Sequence, residues 1–360
     1  FCLIQPLAAQ DGFVSLFNGE DLSGWVEEGA GGAFAARDGE LVLESPKNYP
    51  SWLRSEKEYE NFVLRLEYMV EGWTETGIYL HAPLHGRASR AGMKIHLRHD
   101  RIDEGARSTG AIYDVLEPLA LANRERGEWN ALEVKIDWPI LRVHLNGTLI
   151  HDTDMSLHPD LRWRLRKGYI GFQDINCRVR YRNIKIRELP GREQWKYLYN
   201  GKDLSGWTVE GEAKWFAEGE KVYSTGGDGF LITEEEFSSF VFQTYVKSSH
   251  YANGGLNIRW GSGERGRGYE IQIYSVPDVT NQTGSIYGYV PADRLVAGDN
   301  EWYLLEVVSS GSYVAARVNG WLVAESNRMK LPDKGNVALQ MHQRGARLEF
   351  KNIRIKSIDD

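Results

Sequence analysis

The sequence predicts an all-β chain folded as two tandem β-sandwich domains of jelly-roll type. Three observations carry this: apolar residues alternate with polar ones between turn signals, glycine and aromatics are abundant, and the chain repeats itself. Glycine occurs 38 times and aromatic residues make up 12% of the 360 positions. That balance favours short strands and tight turns over helices. Apolar residues at 42% and charged residues at 26% are those of a folded globular chain, not a disordered one. The net charge of −7 leaves no dominant basic stripe, so nucleic acid is not expected as a partner. No apolar run reaches the ~18–20 residues of a membrane span.

Taken in chain order, residues 1–12 read as the remnant of a signal peptide and an N-terminal tail. The apolar Phe1-Cys-Leu-Ile4 runs into Pro6 and the small Ala8 and Ala9, as before a signal-peptidase site. The protein is therefore expected to be secreted or periplasmic. Removal of Cys2 would leave Cys177 alone, without a disulfide. A first domain is expected over 13–189 and a second over 193–358, separated by the strand-breaking Pro190-Gly191. So short a linker predicts domains that pack together.

The repeat defines these limits. Phe17-Asn-Gly-Glu-Asp-Leu-Ser-Gly-Trp25 recurs as Tyr199-Asn-Gly-Lys-Asp-Leu-Ser-Gly-Trp207. In the same order, Gly77–His81 matches Gly255–Arg259, Gly110–Tyr113 matches Gly284–Tyr287, and Arg182–Ile186 matches Lys351–Ile355. Within the first copy, Phe62, Leu64, Leu66, Tyr68 and Val70 share one face of a strand, with Arg65 and Glu67 on the other. Asn146-Gly147 and Asn319-Gly320 carry the residues of type I′ hairpin turns, where both positions need positive φ. Leu119–Glu128 is the one stretch with helical spacing. Trp25 and Trp207 are expected as core anchors.

Leu16-Phe-Asn-Gly-x-Asp-Leu-Ser-Gly-Trp25, Gly77-Ile-Tyr79, Gly110-Ala-Ile-Tyr113, Gly168-Tyr-Ile-Gly-Phe-Gln173 and Arg182-Asn-Ile-Lys-Ile186 resemble the 3-keto-disaccharide hydrolase domain family. The second copy repeats most of these motifs and adds Gly268-Tyr-Glu-Ile-Gln-Ile273 and Ala338-Leu-Gln-Met-His342. The resemblance implies a concanavalin A-like jelly roll that cleaves glycosides whose sugar is oxidised at C3. It also implies an oligosaccharide or modified glycoside as ligand. A shared fold does not by itself carry a function.

Strand alternation then selects the candidate site residues. With Leu256, Ile258, Ile271 and Ile273 inside, Asn257, Arg259, Glu270 and Gln272 turn outward; in the first copy the equivalent outward positions are Tyr79, His81, Lys94 and His96. A solvated outer face is the plain alternative. Histidine, amides, arginine and tyrosine together suit sugar chemistry better. The family-like Tyr269-Glu270-Ile271-Gln272 becomes Met93-Lys94-Ile95-His96 in the first copy.

A 3-keto group acidifies the C2 proton, so cleavage needs a base, an enolate stabiliser and an acid at the leaving oxygen. In the second copy, Glu270 or His342 would serve as base or acid beside Arg259, while Asn257, Gln272, Tyr287 and Gln340 hold hydroxyls. In the first, His96 or His81 would be the base and Lys94 the stabiliser, with Tyr79, Tyr113, Asp114 and Gln173 in support. The sequence leaves open which copy is catalytic, or whether a site forms at their junction. Glu270 lacks an evident acidic partner, which disfavours the two-carboxylate glycosidase route.

His81, His85, His96 and His99 with Asp100 raise the question of a divalent metal, but they lack the spacing of a recognised zinc motif. No cofactor is therefore assigned. The basic run Arg162–Lys167 reads as an exposed loop with Trp163 at the domain junction. Serine-hydrolase, P-loop and dinucleotide fingerprints are absent. The competing functional reading is a non-catalytic, lectin-like carbohydrate-binding protein.

Overall fold

A computed structural model describes residues 12–47, 51–73, 75–175, 178–261, 268–276, 280–330, 332–342 and 345–358. Positions 1–11 of the expected leader and Cys177 lie outside the described residues, and with them the expectations about export and the lone thiol. The chain divides into two compact units, residues 1–193 and 194–360.

In the first unit, alternating strands assemble into two antiparallel sheets. The larger runs in the order Thr148–Asp154, Ile140–Leu145, Asn130–Asp137, Phe62–Val70, Val179–Glu188, Glu40–Leu43 and Phe34–Arg37, with Val14–Ser15 added along Val179–Glu188. The smaller runs Trp25–Glu28, Trp52–Ser55, Tyr169–Gln173, Glu75–Ala82 and Met93–Arg98. The second unit repeats this plan. Its five-stranded sheet runs Trp207–Gly211, Asp228–Phe237, Gly335–His342, Gly254–Trp260 and Tyr269–Ile273. Each unit is the β-sandwich the sequence predicts, with one apolar core of its own.

Period-two patterning explains the cores. Phe62, Leu64, Leu66, Tyr68 and Val70 are all buried, and so are Ile78, Leu80, Ile95 and Leu97 across the sandwich. Trp25 and Trp207 are buried as expected, and each indole N–H donates to a backbone carbonyl, Leu16 O at 2.9 Å and Leu198 O at 2.7 Å. Asn146-Gly147 and Asn319-Gly320 adopt positive φ throughout, as their hairpin turns require.

Two local expectations fail. Leu119–Glu128 forms no helix. Its backbone is claimed instead by neighbouring elements: Leu119 N–H donates to Ile150 O, and Arg124 N–H to Asn130 Oδ1. The run Arg162–Lys167 is not an exposed loop either. Arg164 and Leu165 are buried, and the Arg164 guanidinium donates to the carbonyls of Ser89, Arg90 and Gly92 at the end of the short helix Ala88–Ala91. Among the described residues no helix is long and apolar enough to cross a membrane.

Candidate active site

The outer face of the first unit's five-stranded sheet is where polar side chains converge. Register sets the arrangement: Tyr79 pairs with Lys94, Gly77 with His96 and Glu75 with Arg98 on neighbouring strands, while Gly171 pairs with Tyr79 from the other side. Residues 75, 77 and 79 therefore share a face with 94 and 96. Gly77 forms the bare floor. A Cβ there would sit 2.5 Å from Cγ and Cδ of Lys94, so the lysine stem lies where a side chain would otherwise be.

These residues open onto a cavity of about 370 Å³ lined by Glu75, Tyr79, Arg87, Ala88, Ser89, Lys94, Tyr113 and Gln173. Its volume falls in the ~300–1,000 Å³ range of small-molecule sites. The helix Ala88–Ala91 supplies one wall, held in place by Arg164. The loop carrying Tyr113 supplies another, tied to the sheet by Tyr113 N–H donating to Lys94 O at 2.9 Å.

Lys94 is only 5% exposed. Its Nζ stands 3.6 Å from the centre of the Tyr113 ring and donates to Gln173 Oε1 at 3.3 Å. Burial is the main force pulling the amine down to about 8, with Arg87 and Arg107 adding to it and Glu75 and Asp114 opposing. Asp114 is engaged elsewhere, 2.8 Å from Arg107 Nε and 4.0 Å from an Arg87 nitrogen.

His96 lies under this group with no exposed surface, its ring 4.8 Å from that of Tyr113. Burial first, then the charges of Lys94 and Arg98, push its imidazole down to about 3. It is thus neutral near pH 7, and so weak a base is ill suited to abstract a proton. Its Nε2 lies 3.2 Å from Glu75 Oε2, which fits a neutral imidazole N–H donating to the carboxylate. The Glu75 side chain is 49% exposed and reaches the cavity. It is Glu75, not His96, that lines the cavity, with His96 in hydrogen-bond contact with it.

Glu75 is a cavity-lining carboxylate that the sequence reading missed. The face was traced from Gly77 onward, whereas extending the alternation two residues back reaches Glu75. Arg87 and Ser89 carried no comparable signal, because a loop and a single helical turn bring them to the wall.

His81 does not join the cavity. Its φ of +50° interrupts the strand alternation. The ring packs edge-on against Phe62, with Nδ1 2.9 Å from Leu165 O and Nε2 2.6 Å from Glu60 O. Burial holds it below the ordinary histidine range. It pins backbone segments and is not placed to act as a base.

The second unit repeats the framework with different chemistry. Asn257 pairs with Glu270, Gly255 pairs with Gln272 and Gln340, and Tyr287 N–H donates to Glu270 O at 2.9 Å. Glu270 lies over Gly255 as Lys94 lies over Gly77. With its amide nitrogen turned to the carboxylate, Gln340 donates to Glu270 Oε1 at 2.8 Å. Gln272 donates to Asn253 Oδ1 at 2.8 Å, and Asn257 is buried. Arg259 has a φ of +56° and donates to the carbonyls of Pro332 and Asp333. Like His81 it fastens loops, so the role of electrostatic partner does not fit it. His342 is exposed, its Nδ1 3.2 Å from Asp228 Oδ1. Tyr287 is half exposed.

The histidines weighed for a metal have separate surroundings: His96 faces Glu75, His81 faces carbonyls, and His99 packs on Trp73 with Nε2 3.4 Å from Asp100. Among the described residues no three histidine, cysteine or acidic side chains group to hold a metal ion.

Both halves of the duplicated sandwich match a family of carbohydrate-related function. Residues 12–187 and 194–356 each match the 3-keto-alpha-glucoside-1,2-lyase-like domain, and the chain belongs to that family. Two solved structures from Parabacteroides distasonis ATCC 8503, provisionally assigned as glycosyl hydrolases, are 22% and 24% identical to it. Their matches cover 50% and 49% of this chain and 95% and 99% of theirs, with TM-scores of 0.45 and 0.44. A carbohydrate-binding module from Bacillus subtilis is 19% identical over 42% of this chain and 96% of its own, with a TM-score of 0.33. No curated protein matches the chain.

Proposed function

We propose that the first unit cleaves glycosides whose sugar carries a ketone at C3, by removing the proton at C2. One observation carries the reading: a carboxylate, Glu75, and a buried amine, Lys94, line a single cavity, and a neutral histidine holds the carboxylate in place. Family membership supplies the substrate class. Glu75 takes the C2 proton, and the electron pair moves toward C3, whose oxygen faces Lys94. The C1–O bond then breaks, and the proton on Glu75 is available to the departing oxygen. Tyr79, Tyr113 and Gln173 line the space that the sugar ring would fill, aromatic and amide groups that suit a ring's apolar and hydroxylated sides.

A second reading applies to the second unit. Its equivalent face couples Glu270 to the Gln340 amide and sets exposed Tyr287 and Tyr289 beside that strand, a set that favours sugar binding without turnover. The test of the first reading is release of the aglycone from a C3-oxidised α-glucoside by the full chain. Glu75→Gln is expected to lower kcat by ~100-fold or more, as loss of a general base does. Unchanged turnover in that variant would remove Glu75 from the reaction.

A further inference from the structure

The two units hold opposite charges at one backbone position, Lys94 on Gly77 and Glu270 on Gly255, so the first unit's site has been built around an amine. If that amine served only as a fixed positive charge, the site would be expected to keep it charged. Burial does the reverse. The side chain is buried, and among the described residues no carboxylate lies within ion-pair distance of Nζ, whose partners are the Tyr113 ring face and the Gln173 carbonyl oxygen. Asp114, the acidic group on the neighbouring loop, is bound by Arg107 and approached by Arg87. Removing water from a lysine and placing cations near it is how an amine is made nucleophilic. The downward pull of burial on this amine acts in the same direction.

We propose that Lys94 acts covalently, its Nζ adding to the C3 ketone of the bound sugar to form an iminium. The inference rests on the keto-glycoside reading above. In the first step an Nζ–C3 bond forms and the carbonyl π pair moves to oxygen, which takes a proton from nitrogen. A second proton, drawn from solvent water, lets that oxygen leave as water and yields the C3=N⁺ iminium. The C2–H pair then becomes a C2=C3 bond as the C3=N π pair returns to nitrogen, and the proton goes to Glu75. The resulting enamine expels the glycosidic oxygen, which departs with the C1–O pair and takes the proton held by Glu75, leaving a C1=C2 bond conjugated to the iminium. Water adds with its hydroxyl to C1 and a proton to C2, and a second water hydrolyses the iminium to ketone and amine, releasing the proton taken up when the iminium formed. One water is released and two are consumed, the balance of a hydrolysis. Gln173 accepts one N–H of the amine and so holds Nζ at the cavity wall.

The test uses the full chain, methyl α-glucoside oxidised at C3, and sodium cyanoborohydride. The expected result is a reduced sugar adduct on Lys94, located by peptide mass mapping, formed only with both reagents present and with matching loss of turnover. Lys94→Arg keeps a charge but cannot form an imine; its kcat is expected to fall by ~100-fold or more. Turnover without an adduct at Lys94, or an adduct scattered over surface lysines only, overturns the amine's role and leaves the cleavage reading standing. An adduct at Lys94 without turnover keeps the amine's role and removes the cleavage reading. Neither adduct nor turnover removes both. Turnover in Lys94→Arg within ~tenfold of the parent would return Lys94 to a purely electrostatic role.

Discussion

His96 occupies the bottom of the candidate site as an uncharged group, and the cause is its surroundings: no contact with solvent, and the charges of Lys94 and Arg98 nearby. This has a thermodynamic consequence. In the unfolded chain a histidine binds a proton near its ordinary value of 6.5, whereas in the fold this one does so only at about 3. Between those limits the unfolded state holds more protons, so stability from this group is lost as pH falls through the window. Its contribution is on the order of a few kcal/mol, since each pKa unit is worth about 1.4 kcal/mol. His96→Gln removes that titration. Denaturant unfolding of the variant is expected to lose stability less steeply than the parent as pH is lowered from 6.5 toward 3. Parallel curves for the two proteins would show that His96 is not buried neutral.

The same scale shows how legible the site was. Tyr79 and Lys94 could be selected because alternation places them on one face, and Tyr113 and Gln173 because they fall in the repeated and family-like motifs. His81 and Arg259 were misjudged for a common reason. Each adopts positive φ, and a single residue in that region breaks the period-two rule without a glycine or asparagine to announce it.

Among the elements, the strand Glu75–Ala82 decides most. It supplies Glu75 and Tyr79 to the cavity and, through Gly77, the trough in which Lys94 lies. A Cβ at Gly77 would also stand 2.8 Å from Ile95 O, on the neighbouring strand's backbone. At Gly255 the three closest atoms all belong to the Glu270 side chain, which can move. Gly77→Ala is therefore expected to destabilise the first unit by about 1–3 kcal/mol, the usual cost of overpacking, and to displace Lys94 from the cavity. Gly255→Ala should cost less. Thermal or denaturant midpoints of the two variants decide this, and a Gly77→Ala protein no less stable than Gly255→Ala contradicts the close packing described. Strand positions and hairpin turns were readable because hydrophobic period and turn chemistry are local signals. The Leu119–Glu128 stretch was not, since Ile150, which takes the Leu119 N–H, lies beyond two intervening strands, and a side chain, Asn130 Oδ1, takes the Arg124 N–H.

For the whole molecule, duplication has produced two sandwiches of one plan whose equivalent faces differ in charge. The first pairs Glu75 with a buried histidine and places Lys94 in a cavity; the second couples Glu270 to an amide. A division between turnover and recognition predicts that the full chain carrying Glu75→Gln still binds an unoxidised glycoside by calorimetry. Adding Glu270→Gln should then weaken that binding by ~tenfold or more, the worth of a lost hydrogen bond to a charged group. Binding abolished by Glu75→Gln alone would place recognition in the first unit as well.

The sequence by itself determined the class of fold, the doubling of the chain, the core-facing residues and the family, because these rest on local periodicity and on motifs repeated in order. Tertiary structure alone decided that Glu75 and not His96 meets the cavity, that Arg164 is a brace and not a surface charge, and that Lys94 sits buried with a ring and an amide as its partners. Those outcomes depend on burial and on which distant carbonyl or carboxylate a side chain meets, and no spacing along the chain encodes either.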